Sequence, residues 1–354
     1  MLYQPEKGRA IIERGVLTLS NNAFGIDLGT SNIKIYSRSD DTILVEKNMI
    51  AIENKDTLFA YGDSAFEMYE KAPGNIHISY PLSNGVIADI KNMELLIKYF
   101  INDLNRSNMK PADYYIAVPT DVTEVEKRAF YDLIRDAGVK ARRIMVVEKA
   151  VADGLGLDID VKNSQGVLIV NVGFDTTEIS ILSLGGIVLS RLIKVGGQKF
   201  DDAIRAAARR QFSLIIGGKT AEGVKMSAAE LEKEGRGAEV FGRDIVTGLP
   251  VARELPTQLI DEALIEHFYT IIDNIKVILE RTPPELAADI YRHGIYLTGG
   301  ASQVNHLAAL VQKGTGLKVN VSENPVTSVA LGLAKIIKDD NYKSVAYSIE
   351  GMSK

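Results

Sequence analysis

"LIVNVGFDTTEISIL", residues 168 to 182, reads as a strand, a tight turn containing Gly173 and a second strand. An earlier stretch, "FGIDLGTSNIKIY" (24 to 36), has the same layout. Set one over the other, D-L-G-T-S-N against N-V-G-F-D-T pairs Gly29 with Gly173 and Asp27 with Asn171. Each glycine lets the backbone turn tightly, so that its amide can approach a ligand that a Cβ would hold off. Thr30, Ser31, Asn32, Thr176 and Thr177 add short donors, and successive turn amides with hydroxyls form a nest suited to phosphate oxygens. An acid beside such a nest is out of place unless a cation lies between them. Asp27 therefore reads as a holder of Mg²⁺ through water, since Mg²⁺ keeps several waters and seeks oxygen partners. Two such hairpins facing each other across a cleft would clasp a polyphosphate from both sides. "YLTGG" (296 to 300), at a strand end before a helix, supplies a third close-approach turn.

The rest of the chain repeats one plan. After the first hairpin come strands in "TILVEKNMIAIEN" and "TLFAYG", and a helix in "NMELLIKYFINDLNRS". "YYIAVP" is a buried strand, and "TEVEKRAFYDLIRDAG" a helix opened by Thr123, with Glu126 completing a capping box and Gly138 as its stop. "RIMVVE" is a strand that leads into the helix "KAVADGLGLD". The second hairpin then restarts the pattern: a strand, two helices, a strand pair around "AEVFGRDIVTGLPVARELP", and a long helix stopped by Pro283 and Pro284. "GIYLTGG", "KVNVS" and a last helix follow. Strands alternating with helices, twice over, predict two α/β halves with a cleft between them.

Composition narrows the function. With 354 residues the chain can form two domains with proper cores, and 46% hydrophobic with 25% charged residues is ordinary for a globular protein. A net charge of −5, with no dense basic run, argues against nucleic acid as a partner. There are no cysteines, so disulfides and thiolate metal sites are excluded and a reducing, cytosolic setting fits. The four histidines (His77, His267, His293, His306) lack metal-ligand spacing and read as structural or surface residues. No apolar run reaches the length of a membrane span. The first residues lack a signal-peptide layout and are interrupted by Pro5, Gly8 and Gly15, which predicts a loose or lightly docked extension.

Beyond the hairpins, "APGNI", "GVIADI", "TEVEKRA", "DTTEISILSLGGIVLSR", "KVGG", "GRDIVTGLP", "RTPPELAADI", "YLTGGAS" and "VALGLAK" follow one another between about residues 23 and 337. In this order they resemble the actin-like ATPases, and most closely the MreB family of bacterial cytoskeletal proteins. "GRDIVTGLP" and "RTPPELAADI" set that family apart from chaperone ATPases and sugar kinases of the same fold. The resemblance implies an α/β, actin-like fold with ATP or ADP and Mg²⁺ in the cleft. The division it implies is an extension (1–22), domain I (23–160, small part about 48–80), domain II (161–338, small part about 196–256) and a tail (339–354).

By match of motif, Gly29, Thr30, Ser31 and Asn32 contact phosphate from the first hairpin, and Gly173, Asp175, Thr176 and Thr177 lie at the second. Lys34 stands where some relatives place a phosphate-binding lysine. Gly299, Gly300 and Ala301 approach the nucleotide closely, and Glu222 and Lys225 line its adenine-ribose side. The implied partners are further copies of the chain, stacked head to tail into filaments, with paralogous filament subunits also fitting. The implied place is the cytoplasm, at the inner face of the membrane, in cell shape or, for paralogues of wall-less helical bacteria, helicity and swimming. The family's membrane-inserting loop falls near "NDLNRSNMKPAD" and here offers only Met109.

Three departures bear on chemistry. Where the family has "VDIGGGTTE" this chain has "VNVGFDTTE", so Asn171 replaces an Asp near the metal, and Phe174 and Asp175 replace two glycines. The family's "EEPMAA" appears as "EKAVAD" (148 to 153), which puts Lys149 where a glutamate holds the attacking water. A protonated lysine has donors and no acceptor, and loss of a positioned base costs about 10²–10⁴ in rate. Lys149 is expected to pair with the γ-phosphate or with Asp175. Glu148, on the wrong face of the strand end, would substitute only through a register shift. These departures predict a filament subunit that binds ATP and cleaves it weakly; the alternative is a regulator that binds ATP and a partner without polymerising.

Overall fold

The computed structural model describes residues 22–105 and 111–350. The N-terminal extension up to residue 21 and the loop carrying Met109 lie outside the described residues. The first half is built on a six-stranded sheet. Its core is an antiparallel meander, Ala23–Leu28, Asn32–Ser37 and Thr42–Lys47, extended by parallel strands Ala112–Val118 and Ala141–Glu148. The second half repeats the same order: Val167–Val172, Thr177–Ser183 and Gly186–Ile193 form the meander, and Ile295–Thr298 and Val319–Val321 add in parallel. A duplicated sheet of identical order explains why the hairpin motif occurs twice. The strand Ala346–Tyr347 returns to pair with Ala141–Glu148, which brings the chain's end back to the first half.

Strand alternation assigns each sheet an outer and an inner face. On the first hairpin Phe24, Ile26, Leu28, Ile33 and Ile35 point outward into a core formed with the helices Ile90–Leu104 and Glu124–Asp136. On the second, Leu168, Val170, Val172, Ile179 and Ile181 point outward to a core shared with the helices Gly197–Phe212 and Thr257–Glu280. The inner faces meet in a third cluster, which joins Tyr115, Ala117 and Val147 of one sheet to Val167, Ile169 and Leu182 of the other. Between them run the helices Lys149–Gly156 and Ser328–Lys338. By the same alternation Asp27 and Asn171 fall on inner faces at the ends of their strands. Open α/β sheets bind ligands outside such carboxyl ends.

Helix formation follows local chemistry. Thr123 caps Glu124–Asp136 and Glu126 reciprocates, so the predicted capping box is present. The proline pair that stops the long helix also opens the next one, Pro284–His293, with Pro284 in its first turn.

The two central helices touch through backbone. A Cβ built on Gly332 would lie 1.7 Å from the carbonyl oxygen of Ala152, and one built on Gly156 would lie 1.7 Å from that of Ser328. Neither carbonyl is the end of a flexible side chain, so nothing can yield without moving a helix. Gly332→Ala should therefore destabilise the chain by about 3 kcal/mol or more, beyond the usual overpacking cost. Gly223→Ala is the control: the added methyl meets nothing within 4 Å, and alanine at a helical glycine gains about 0.5–1 kcal/mol. Thermal or urea melts of the two variants check the contrast.

Candidate functional site

The hairpin turns are equivalent in detail. Gly29 N–H donates to the Asn32 carbonyl at 3.1 Å, and Gly173 N–H donates to the Thr176 carbonyl at 2.8 Å. Cross-strand register pairs Asp27 with Lys34 in the first and Asn171 with Glu178 in the second. The turns face each other across a cavity of about 390 Å³, within the range of about 300–1,000 Å³ usual for small-molecule sites. From the first hairpin Asp27, Gly29, Thr30, Ser31, Asn32 and Lys34 line it, and from the second Asn171, Gly173, Asp175 and Thr176. Lys149, Glu222, Lys225, Gly299, Gly300 and Ala301 complete the wall, so sixteen predicted residues converge on one space. Gly299 has φ +87°, and a Cβ there would lie 2.4 Å from the Val172 carbonyl oxygen, so glycine is required. None of the four histidines lines the cavity.

Two predicted residues do not reach it. Thr177 is fully buried and its hydroxyl donates to the Val195 carbonyl at 2.7 Å. It is the first residue of its strand and alternates with Glu178, so once Glu178 faces inward Thr177 must face outward. Glu148 accepts from Lys127 Nζ at 2.9 Å and from the Tyr347 hydroxyl at 2.7 Å, on the far side of the strand end. The expected pairing of Lys149 with Asp175 is also absent. Asp175 Oδ2 instead accepts from the Asn84 amide at 2.8 Å.

Lys149 is half-buried, with its ammonium set among acids. Burial alone pulls its pKa down, but Asp27, Glu178 and Asp153 outweigh burial and hold the ammonium above the ordinary lysine value. It stays protonated and has no lone pair for a water proton. Asp27 is fully buried as well. Burial pushes its pKa up, yet Lys34, whose Nζ lies 3.1 Å from Asp27 Oδ2, and Lys149 keep it below the ordinary carboxylate value. Burial raises Asp153 to about 6, against the opposing Ser328 and Asn171 hydrogen bonds and Lys149. Glu178 is likewise raised by burial, with Lys149 and the Thr120 hydroxyl pulling the other way.

Sequence reasoning missed Asp153 and Glu178. Each left a signal. Asp153 lies four residues after Lys149 on one helix, and Glu178 is the register counterpart of Lys34. Together they explain Asn171: its Nδ2 donates to Asp153 Oδ2 at 2.6 Å. An aspartate there would set two buried carboxylates against each other.

Asp27 Oδ1 is buried without a hydrogen-bond partner. An unpartnered carboxylate oxygen in the cavity wall suits a hydrated divalent cation, so Asp27, with Asn171 lining the same cavity, fits Mg²⁺ held through water. Lys225 Nζ bonds Asp201 Oδ1 at 2.7 Å and the Gly197 carbonyl at 3.2 Å, while Glu222 lies 3.7 Å from Lys47 Nζ.

Paired hairpins on duplicated sheets, closing on one cavity, define an actin-like protein. Residues 21–344 match the family described as MreB/Mbl protein. The chain is 38% identical over 313 residues to the cell shape-determining protein Mbl of Bacillus subtilis (strain 168), covering 87% of this chain and 93% of that one. It is 36% identical over 327 residues to the cell shape-determining protein MreB of Escherichia coli (strain K12), covering 90% and 94%. Among solved structures, MreB5 of Spiroplasma citri bound to ADP superposes with a TM-score of 0.84 at 33% identity, covering 92% of this chain and 98% of that one. The MamK double helical filament, at 22% identity and TM-score 0.75 over 90% of this chain and 99% of that one, shares the fold. The chain belongs to the MreB/Mbl family.

The acid cluster makes a sharp prediction. Lys149→Glu restores the family residue but places a fourth carboxylate beside Asp27, Asp153 and Glu178, and should cost about 3–5 kcal/mol. Adding Asp153→Ala removes one of those charges and should recover much of the loss. Equal melting of the single and double variants would show that the two positions do not share one electrostatic site.

Proposed function

We propose that the chain is a cytoskeletal filament subunit that binds ATP and ADP with Mg²⁺ between domain I (23–160) and domain II (161–338), and that cleaves ATP slowly. The observation that carries the reading is Lys149, a buried protonated ammonium among Asp27, Asp153 and Glu178 in the cavity wall. When bound, Mg²⁺ neutralises charge on the phosphate oxygens. The turn amides of the two hairpins, with Thr30, Ser31 and Thr176, hold the phosphates in place, and Asp27 orients the hydrated cation. At position 149, where the family's glutamate holds the attacking water, the described wall offers an ammonium and no acceptor. Asp153 is tied to Asn171, and Glu178 takes a hydrogen bond from Thr120. Nucleotide is retained while its cleavage goes without base assistance.

Self-association has its own support. The tip between strands Ala238–Asp244 and Pro250–Leu255 is fixed by Asp244 Oδ1, which accepts from Val246 N–H and Thr247 N–H, both at 2.9 Å. This rigid tip presents Val246, 83% exposed, and Leu249, 62% exposed, to solvent. Apolar residues on a structured protrusion suit a head-to-tail contact, which repeats without closing. No helix among the described residues is long and apolar enough to cross a membrane. Likeness to the cell shape-determining proteins Mbl and MreB supports a filament acting in cell shape; a cytoplasmic place at the inner membrane face, paralogous subunits, and helicity and swimming belong to the same proposal.

The test runs two assays on one preparation. With ATP and Mg²⁺ the chain should pellet, and phosphate release should be slower by about 10²–10⁴ than in a relative with the glutamate. Lys149→Ala should not lower phosphate release further; a marked loss would make Lys149 a participant in cleavage. Replacing both Val246 and Leu249 by Asp should raise the critical concentration about tenfold or more. Full nucleotide binding with no pellet at any concentration would favour the non-polymerising regulator.

A further inference from the structure

Phe174 and Asp175 stand where the family has glycines, at the tip of the second hairpin, and the structure gives each a partner in the other half. The Phe174 and Tyr80 ring centroids lie 5.8 Å apart, tilted by 39°. Asp175 Oδ2 accepts from the Asn84 amide at 2.8 Å. Glycine can make neither the ring contact nor the carboxylate bond.

Both sides of this contact are stiff. Asn84 and Gly85 have φ of 51° and 82°, the left-handed pair of a tight hairpin turn joining Leu82–Ser83 to Val86–Ile87. Behind the second hairpin, Gly197 N–H donates to the Gly173 carbonyl at 3.0 Å and Gln198 N–H to the Phe174 carbonyl at 2.8 Å. These bonds anchor the turn to the start of the helix Gly197–Phe212. A pull on the turn is therefore a pull on the second half.

We propose that Phe174 and Asp175 are positioning residues that make the second hairpin a clasp. They fasten residues 80–85 onto the turn, hold the cleft shut with or without nucleotide, and so slow nucleotide exchange. The exchange arm rests on the nucleotide reading above; the closure arm does not.

The chain has no native cysteine. Lys71→Cys with Lys233→Cys, both exposed and one in each half, therefore gives specific spin-label positions for a distance measurement across the cleft. Without nucleotide, the labelled chain should show one narrow distance. The same chain carrying Phe174→Gly and Asp175→Gly should show a longer, broader distribution. Release of the fluorescent probe N-methylanthraniloyl-ADP should be faster by about thirtyfold or more in that variant, the combined worth of an aromatic pair and a carboxylate hydrogen bond. Asp175→Asn keeps an acceptor oxygen and should restore slow release relative to Asp175→Gly.

Should the glycine variant fold poorly, Tyr80→Ala, Phe174→Ala and their double form a cycle. In it, either substitution alone should speed release about three- to tenfold and the second should add little. Unchanged distances and unchanged release would overturn the clasp, as would fully additive effects in the cycle. Failure of every form to bind the probe, with the distance change intact, would refute the nucleotide reading and leave the clasp standing.

Discussion

A buried ammonium can be kept only where carboxylates surround it, and the cleft of this protein is arranged around that need. Lys149 opens a helix at the point where the two inner faces converge. Asp27 reaches it from one hairpin, Glu178 from the other and Asp153 from its own helix. Removing either sign of charge would leave the other uncompensated in a low-dielectric interior. The amide at Asn171 belongs to the same arrangement: it donates to Asp153 where an acid would repel it. Two departures from the family pattern, Lys149 and Asn171, read singly as losses, are thus parts of one electrostatic unit.

The fold around this unit is symmetrical and the site is not. Both sheets carry the same strand order, and both hairpins make the same glycine-closed turn. The cross-strand pairs differ: Asp27 with Lys34 is an ion pair, whereas Asn171 gives Glu178 no cross-strand cation, and that acid accepts from the Thr120 hydroxyl on the side of Lys149. Duplication supplied two equivalent cradles, and the side chains at matching register positions then gave them different electrostatic roles.

Much of this was legible in the sequence because it rests on period and turn chemistry. Alternation in "FGIDLGTSNIKIY" and "LIVNVGFDTTEISIL" fixed both hairpins and the faces of their residues, and the capping box at Thr123 fixed a helix start. What escaped depends on which side chains meet across the cleft, about which local pattern is silent. Thr177 was counted as a phosphate donor because hydroxyls were counted without applying alternation one residue further. Asp175 could be placed at the turn, but its partner, the Asn84 amide, lies 91 positions away in the chain. Pro284 read as a stop, though proline begins a helix as readily as it ends one.

The glycine notch between the central helices has a mechanical meaning. Gly156 and Gly332 let two backbones rest directly on carbonyl oxygens, with no side chain between to compress or rotate. Such a bearing resists translation along either helix, because any shift drives a neighbouring side chain against peptide atoms. Rolling about the contact carries no such penalty. The contact therefore resists sliding of one helix along the other more than a roll about the glycines, and Lys149 begins one of the two helices that make it.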